Sequence, residues 1–167
     1  MTSPSRFVAI LMGSDSDLPT MQATADVLAQ FGIRYELNIK SAHRTPAAAP
    51  AYVVDAERRG CAVFIAAAGL AAHLAGFVAG HTLRPVIGVP MEGGPLQGMD
   101  ALLSTVQMPG GIPVACVAIG KAGARNAAYL AAQMMSLDDP ALAQALREER
   151  QANAEKILEK DRQLRGN

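Results

Sequence analysis

The sequence predicts an α/β protein in which helices cover both faces of a parallel β-sheet. Apolar, β-rich runs alternate along the chain with stretches whose apolar residues recur at helical spacing, and this alternation is typical of parallel strands joined by helices. The first run, residues 7–12, is continuously apolar, as expected of a strand buried on both faces. We therefore expect one domain over residues 1–167, with a core at about 6–136 and a C-terminal helical extension at about 139–165.

The same alternation sets the order of the elements. Gly32 is expected to end the first helix and Gly60 the second, since glycine readily takes the left-handed conformation that follows a helix. Pro46 suits the first position of the second helix, where an amide hydrogen is not needed. The predicted strands cover residues 7–12, 33–39, 62–66, 85–90 and 113–119, and the predicted helices cover residues 18–31, 47–59, 71–80, 99–106 and 122–135, with a long last helix from residue 140.

Composition excludes several classes of protein. Half of the 167 residues are hydrophobic, so a globular core is expected and disorder is not. The formal net charge is zero, so the basic footprint of a nucleic-acid-binding protein is missing. No apolar run reaches the roughly 18–20 residues of a membrane helix, and residues 1–6 lack the pattern of a signal peptide. We therefore expect a cytoplasmic protein with neither nucleic-acid nor membrane partners.

The two cysteines, Cys61 and Cys116, both lie inside apolar runs. A free thiol in such a run behaves as a small hydrophobic side chain, which favours core positions over a disulfide or a nucleophile. No Cys-x-x-Cys motif or Cys/His cluster suggests zinc. The sequence therefore predicts no metal site.

Charge is distributed unevenly along the chain. Residues 147–165 carry 11 charged side chains, whereas the 146 residues before them carry 19, well below the usual quarter of a soluble chain. A domain so poor in charge has little with which to cover its surface, so we expect much of that surface to meet other subunits of a homo-oligomer. The charged last helix has a narrow apolar stripe, and it either reaches onto another subunit or remains a solvated terminal helix.

Polar side chains follow the first predicted strand in the string MGSDSD, residues 12–17. Gly13 would allow a tight turn, and amides at the start of the following helix favour an anion such as phosphate. Ser14 and Ser16 offer hydroxyl donors to that anion. Asp17 would be repelled by a phosphate, so it is better placed on a ribose diol. The alternative is an ordinary helix cap with surface serines.

The loop after the second predicted strand, SAHRTP at residues 41–46, combines a base with a cation. His43 is the side chain type best suited to proton transfer near neutral pH. Arg44 offers a planar fork for a phosphate or carboxylate, and Pro46 stiffens the loop. The alternative is a capping loop with a surface histidine.

Small residues dominate the loop after the third predicted strand, residues 66–76. They would let a ligand approach the backbone closely and leave amides free for an anion. His73 is expected at the start of a short helix, and the alternative role for it is a core or capping histidine. His81, further along, is expected on the surface.

No single one of these sequence strings indicates the function, but the strings taken together in this order do. MGSDSD, SAHRTP, AGLAAHLAG (68–76), VQMPGGIPV (106–114) and AIGKAG with NAA (118–128) together resemble the N5-carboxyaminoimidazole ribonucleotide mutases, bacterial-type members of the aminoimidazole ribonucleotide carboxylase family. The resemblance runs from about Phe7 to Met135 without a visible gap. SAHRTP and QMP-x-GIPV are the most specific strings.

The resemblance implies a flavodoxin-like, three-layer α/β/α sandwich with a long C-terminal helix, assembled as an octamer with active sites where subunits meet. It implies an isomerase of de novo purine biosynthesis that uses neither metal nor organic cofactor. His43 would be the catalytic, proton-transferring residue. The resemblance assigns contacts with the ribonucleotide substrate to Gly13, Ser14, Ser16, Asp17, Ser41, Ala42, Arg44, Gly69, Leu70, Ala71, His73 and Leu74.

The mechanism that the resemblance implies begins when the N5 carbamate loses CO2 with help from a proton of His43. The trapped CO2 is then attacked by C4, and His43 removes the C4 proton. Arg44 also distinguishes the mutases from a second branch of the family that uses free CO2, which tends to have lysine there. Three departures from the family pattern are Leu70 for a second glycine, Ala75 for proline, and residues 93–95 for a more polar stretch.

Three other functions compete with the mutase reading. One is a direct carboxylase of the same family, which would depend on bicarbonate. Another is a nucleotide-binding regulatory module without turnover, in which His43 would be dispensable. A flavoprotein is the weakest, since the chain has no Trp and only 4% aromatic residues with which to stack a flavin ring.

Overall fold

The computed structural model of the chain describes residues 6–165. These residues fall into two compact units, which divide along the chain between Ala131 and Ala132 and are described separately. The first unit contains strands β1 to β5, which are Phe7–Met12, Arg34–Ile39, Cys61–Ala68, Val86–Pro90 and Ala115–Cys116. It also contains helices α1 to α4, which are Leu18–Gln30, Ala48–Arg58, Leu74–Ala79 and Met99–Val106, and most of α5, Gly120–Met135.

The sheet is parallel throughout and has the order β2-β1-β3-β4-β5. All six residues of β1 are buried, as its continuous apolar sequence predicts. Phe7, Ala9 and Leu11 join one core cluster with residues of α2 and α3, so the alternate residues of β1 point to the opposite face. There, Thr24 of α1 donates a 2.7 Å hydrogen bond to the Ala124 carbonyl of α5. The predicted three-layer α/β/α arrangement is confirmed.

Arg59 fixes the edge strand β2 to helix α2. Its guanidinium donates hydrogen bonds to both oxygens of Glu36, and the phenol of Tyr52 donates a further one of 2.8 Å to the same carboxylate. The bond from Arg59 holds the pKa of Glu36 below its usual value. These bonds join the two elements that flank the loop of residues 40–47.

Four expected boundaries are wrong. Strand β3 continues through Ala67 and Ala68, because both are paired in the sheet, and tertiary pairing outweighs the low strand preference of alanine. Helix α3 starts at Leu74 rather than at 71, since Leu70 has a left-handed φ of 55°. Strand β5 has only two residues and lies at the sheet edge. Pro46 is not the first helical residue, because α2 begins at Ala48.

Two expectations about cysteine and histidine side chains can be compared with the structure. Cys61 is buried in the core, and burial raises the pKa of its thiol to about 12, so it is a poor nucleophile. Cys116 is only partly buried, because β5 is short. His81 is exposed, as expected, and its Nδ1 lies 2.8 Å from the Phe77 carbonyl oxygen.

The second unit contains the end of α5 and the long helix α6, Pro140–Arg165, which follows a 3-10 turn at Ser136–Asp138. The Asp139 carboxylate accepts a 3.0 Å hydrogen bond from the Leu142 amide and so caps the start of α6. Pairs three and four residues apart follow along the helix, among them Arg162 with Glu159 and Arg165 with Asp161. None of the helices in the described part of the chain combines the length and apolar character needed to cross a membrane.

Gly88→Ala is expected to destabilise the first unit by about 1–3 kcal/mol, because the core has no room for a methyl group there. A Cβ at Gly88 would collide with Thr105 Cγ2, and it would lie 3.0 Å from Val114 Cγ1 and 3.2 Å from Ala75 Cβ. The free energy of unfolding in urea measures the loss. Thr105→Ser removes the colliding methyl group and keeps the hydroxyl that bonds the Ala101 carbonyl. Adding it to Gly88→Ala should restore part of the loss; a double variant less stable than the sum of both single changes would contradict the packing argument.

Candidate active site

The first site segment follows β1 and begins with a 3-10 turn, Asp15–Asp17. The Ser14 hydroxyl accepts a hydrogen bond from the Ser16 amide at 3.3 Å, and Asp17 Oδ2 accepts one from the Ser14 amide at 3.3 Å. The serine and the aspartate therefore form a reciprocal cap. The chain bends at Gly13 directly after β1, as expected. The bend does not require glycine, because the φ of Gly13 is not left-handed and a Cβ would make only an ordinary 3.7 Å contact with Ala68 Cβ.

Asp17 is the one charged side chain among the buried residues of the described chain. Burial raises the pKa of its carboxyl above the ordinary value of 3.8, and the hydrogen bond from Ser14 opposes this shift. A desolvated carboxylate that lines a pocket, as Asp17 does, is a strong acceptor for hydroxyl groups of a ligand.

The second segment, residues 41–46, is held by its own hydrogen bonds. Ser41 Oγ accepts from the Arg44 amide at 3.0 Å, and the Thr45 hydroxyl donates to the Ser41 carbonyl at 3.0 Å. The Arg44 guanidinium crosses to the first segment and donates to the Gly13 carbonyl at 3.1 Å. This bond fixes a permanent cation between the loops that follow β1 and β2, beside the exposed His43.

The third segment follows β3 and turns sharply at Leu70. The Ala72 amide donates to the Leu70 carbonyl and the His73 amide donates to the Ala71 carbonyl, both at 2.8 Å. His73 is the residue that precedes the first turn of α3, close to the expected position. Its ring lies edge-on to Phe77 with centroids 6.2 Å apart.

These three segments enclose one pocket of about 690 Å³. The pocket lies where the chain leaves β1 and β3 toward opposite faces of the sheet, which is the usual ligand position in such folds. Every residue predicted for the site lines it, namely Gly13, Ser14, Ser16, Asp17, Ser41, Ala42, His43, Arg44, Gly69, Leu70, Ala71, His73 and Leu74. Their individual roles remain predictions.

Sequence reasoning missed four pocket residues: Ala68, Glu92, Gly93 and Gly94. Ala68 was missed because β3 was predicted too short. The other three belong to the loop after β4, to which the sequence pattern assigns no role in the site. The adjacency of β4 and β3 in the sheet was the missing information, since it places this loop beside the third segment.

The arrangement suits binding of an anion and proton transfer to a bound molecule. Hydroxyl groups and a guanidinium offer donors for an anion, Asp17 offers acceptors, and His43 is accessible to exchange a proton. Among residues 6–165, no three His, Cys, Asp or Glu side chains come together as a group that could hold a metal ion.

Comparisons with known proteins agree with this fold. The chain is 51% identical over 164 residues, 98% of its length and 92% of the relative's, to an N5-carboxyaminoimidazole ribonucleotide mutase of Synechocystis. It is 51% identical over 157 residues, 94% of its length and 97% of the relative's, to a protein of the same name from Bacillus subtilis. The crystal structure of Treponema denticola PurE matches with a TM-score of 0.86 and 35% identity, covering 95% of this chain and 98% of that one.

The strand order and the pocket thus define a flavodoxin-like α/β protein with a pocket at the switch point of its sheet, where ligands bind in such folds. The profile of the family described as AIR carboxylase matches residues 7–156, and the chain belongs to this family. The resemblance drawn from its sequence strings is confirmed.

Asp17→Asn is expected to stabilise the folded protein increasingly as the pH rises. Because burial raises the pKa of Asp17 above 3.8, the folded state holds this proton more tightly than the unfolded state. Its stabilising contribution is therefore present below about pH 3.8 and is lost as the pH rises through the folded-state pKa. Asparagine does not titrate, so it contributes no pH dependence to stability, and its side-chain oxygen can still accept the hydrogen bond from the Ser14 amide.

Urea unfolding of parent and variant from pH 3.5 to 7.5 measures this difference. Asp26→Asn, on an exposed position of α1, is the matched control and should show a smaller change across the series. A difference between Asp17→Asn and parent that stays constant with pH would contradict the argument.

Proposed function

We propose that this chain is an N5-carboxyaminoimidazole ribonucleotide mutase. It converts N5-carboxyaminoimidazole ribonucleotide to the isomer carboxylated at C4, an intramolecular carboxyl transfer in de novo purine biosynthesis. The observation that carries the proposal is the gathering of its thirteen predicted site residues in one pocket. The proposal is also supported by sequence identities of 50–51% to proteins named as mutases, over 94–98% of the chain.

In this proposal the phosphate of the substrate lies between the first two segments. Ser14, Ser16 and Ser41 offer hydroxyl donors there, and the Arg44 cation is held in place by the Gly13 carbonyl. Asp17 takes the ribose hydroxyls, because a carboxylate repels phosphate and accepts hydrogen bonds from a diol. The raised pKa of Asp17 reflects desolvation, which a ribose diol would offset by supplying the donors that water no longer provides.

The base and the migrating carboxyl group then lie against the third segment. Gly69 and Ala71 have little or no side chain, so the ligand can approach their backbone closely. His43 faces the same pocket from the second segment. The reacting part of the substrate would therefore be enclosed between a proton donor and a wall of small residues.

The reaction balances without an oxidant or a reductant. The N5–C bond of the carbamate breaks, its electron pair stays on N5, and His43 supplies the proton that makes the amine. C4 then attacks the released CO2, a C–C bond forms, and His43 takes up the C4 proton as the ring regains aromaticity. One side chain serves as acid and then base, and proton transfer of this kind contributes about 10²–10⁴-fold. We propose that no metal or organic cofactor takes part.

His43→Asn is expected to abolish conversion while leaving substrate binding largely intact, because asparagine cannot carry the proton. A stopped assay of purified protein with fresh N5-carboxyaminoimidazole ribonucleotide, without added bicarbonate, measures the C4-carboxylated product. We expect a loss of at least 10²-fold in kcat, and retained binding of the C4-carboxylated product by calorimetry.

The assay also separates the competing functions. Turnover only from the uncarboxylated ribonucleotide plus bicarbonate would identify a direct carboxylase. Binding without turnover, unaffected by His43→Asn, would identify a regulatory module. Either result would overturn the proposed mutase function.

We further propose a cytoplasmic homo-oligomer, an octamer, with the C-terminal helix reaching onto neighbouring subunits. Helix α4 supports an assembly, because Met99, Leu103 and Val106 follow helical spacing on one face and are each about half exposed. A subunit contact on this face would bury all three apolar side chains.

Light scattering is expected to give a mass of eight chains of 17.4 kDa. Leu103→Glu places a charge on the apolar face of α4 and should yield smaller species. Ser104→Glu is the matched control, since Ser104 is exposed on another side of the same helix and its charge should leave the mass unchanged. A monomeric parent would contradict the assembly.

A further inference from the structure

Leu70 has a backbone conformation that disfavours its own side chain. Its φ is 55°, in the left-handed region that residues with a bulky side chain rarely adopt. Hydrogen bonds of the following turn hold it there, since the Leu70 carbonyl accepts from the Ala72 amide at 2.8 Å. The strain is therefore fixed by the loop, at a position that lines the pocket.

Burial does not account for a leucine at this position. The side chain is 55% exposed, so it gains only part of the free energy that a core leucine gains on folding. Backbone strain of this kind clusters at active sites and ligand-binding sites, and Leu70 lines the pocket.

Gly94, in the loop after β4, makes room for the Leu70 side chain. A Cβ at residue 94 would lie 2.5 Å from Leu70 Cδ2, too close for the leucine to keep its place. Gly94 has a left-handed φ of 64° and also lines the pocket. The leucine thus lies over the bare backbone of Gly94 and spans from the loop after β3 to the loop after β4.

We propose that Leu70, seated against Gly94, is a positioning residue that retains CO2 in the pocket between the two half-reactions. This inference rests on the proposed mutase function. Carbon dioxide has no charge and no hydrogen-bond donor, so an apolar side chain can confine it without binding it tightly. The same side chain keeps out the water that would hydrate it to bicarbonate.

The consequence is a branch point after the first step. Retained CO2 forms the C–C bond at C4 and gives the carboxylated product. Escaped CO2 leaves the uncarboxylated amine, and its carbon is then replaced only by CO2 from solution. Labelled bicarbonate in the buffer therefore reports on escape from the pocket, once the exchange of the free carbamate with bicarbonate, measured without enzyme, has been subtracted.

The experiment uses the full-length chain with unlabelled substrate and ¹³C-bicarbonate, and it measures the labelled fraction of the product by mass spectrometry. Leu70→Gly removes the apolar side chain and relieves the backbone strain at residue 70. Leu70→Asn keeps a side chain that tolerates the left-handed region but is polar. Gly94→Ala displaces the leucine without changing it. Gly32→Ala is the matched control, since Gly32 has a φ of 67° and a Cβ there would meet nothing within 4 Å.

We expect the labelled fraction to rise at least fivefold over parent in all three pocket variants and to stay at the parent level in Gly32→Ala. Adding Gly94→Ala to Leu70→Gly should give no further rise, because the leucine that it displaces is gone. Leu70→Gly should unfold at the same temperature as the parent or higher, so leakage cannot come from a damaged fold.

Two results would overturn the inference and leave the mutase function standing. One is an unlabelled product from Leu70→Gly and Leu70→Asn at parental rates. The other is a parent that converts the substrate yet takes up label as fully as the variants. A parent with no conversion of the carbamate would instead overturn the proposed function itself.

Discussion

The rest of the molecule depends on the burial of β1 between two parallel neighbours. Its six residues are buried on both faces, and β2 and β3 pair with it in parallel register from Phe7 to Met12. Parallel strands in register end at the same edge of the sheet, so three loops that are distant in sequence leave from one place. The site exists because this edge collects them, and each loop contributes a different kind of chemical group.

Polar contacts convert this collection of loops into a defined site. Arg44 is joined to the Gly13 carbonyl, and Arg59 ties β2 to α2 through Glu36 on either side of the loop that carries Arg44. The position of the Arg44 guanidinium is therefore set by its own hydrogen bond and also by the contacts between the two elements that flank its loop. Asp17 contributes the opposite charge from a buried position, where a carboxylate is costly until a ligand supplies donors.

The sequence predicts the fold well where physical signals are strong and local. The apolar run of β1, the helix end at Gly32 with its φ of 67°, and the start of α6 at Pro140 all follow from single-residue preferences. Prediction failed where pairing between strands decided the outcome. Ala67 is a strand residue because it pairs with both β1 and β4, and Ala68 is one because it pairs with β4.

The candidate site divides in the same way. Histidine, arginine, serine and aspartate at the ends of predicted strands indicate chemistry on their own, and those residues do line the pocket. Gly94 carries no such signal, because its importance lies in the absence of a side chain beside Leu70. Only the folded structure shows that a residue must lack a side chain because a neighbouring side chain occupies that space.

Helix α6 has a consequence for how it meets any partner surface. Its 26 residues extend for about 39 Å at the usual rise, and its start is capped by Asp139 while its charged residues pair along its own length. A helix ordered by local contacts loses little conformational entropy when a surface binds it. Association through α6 would therefore be that of a preformed helix, with little ordering required when it docks.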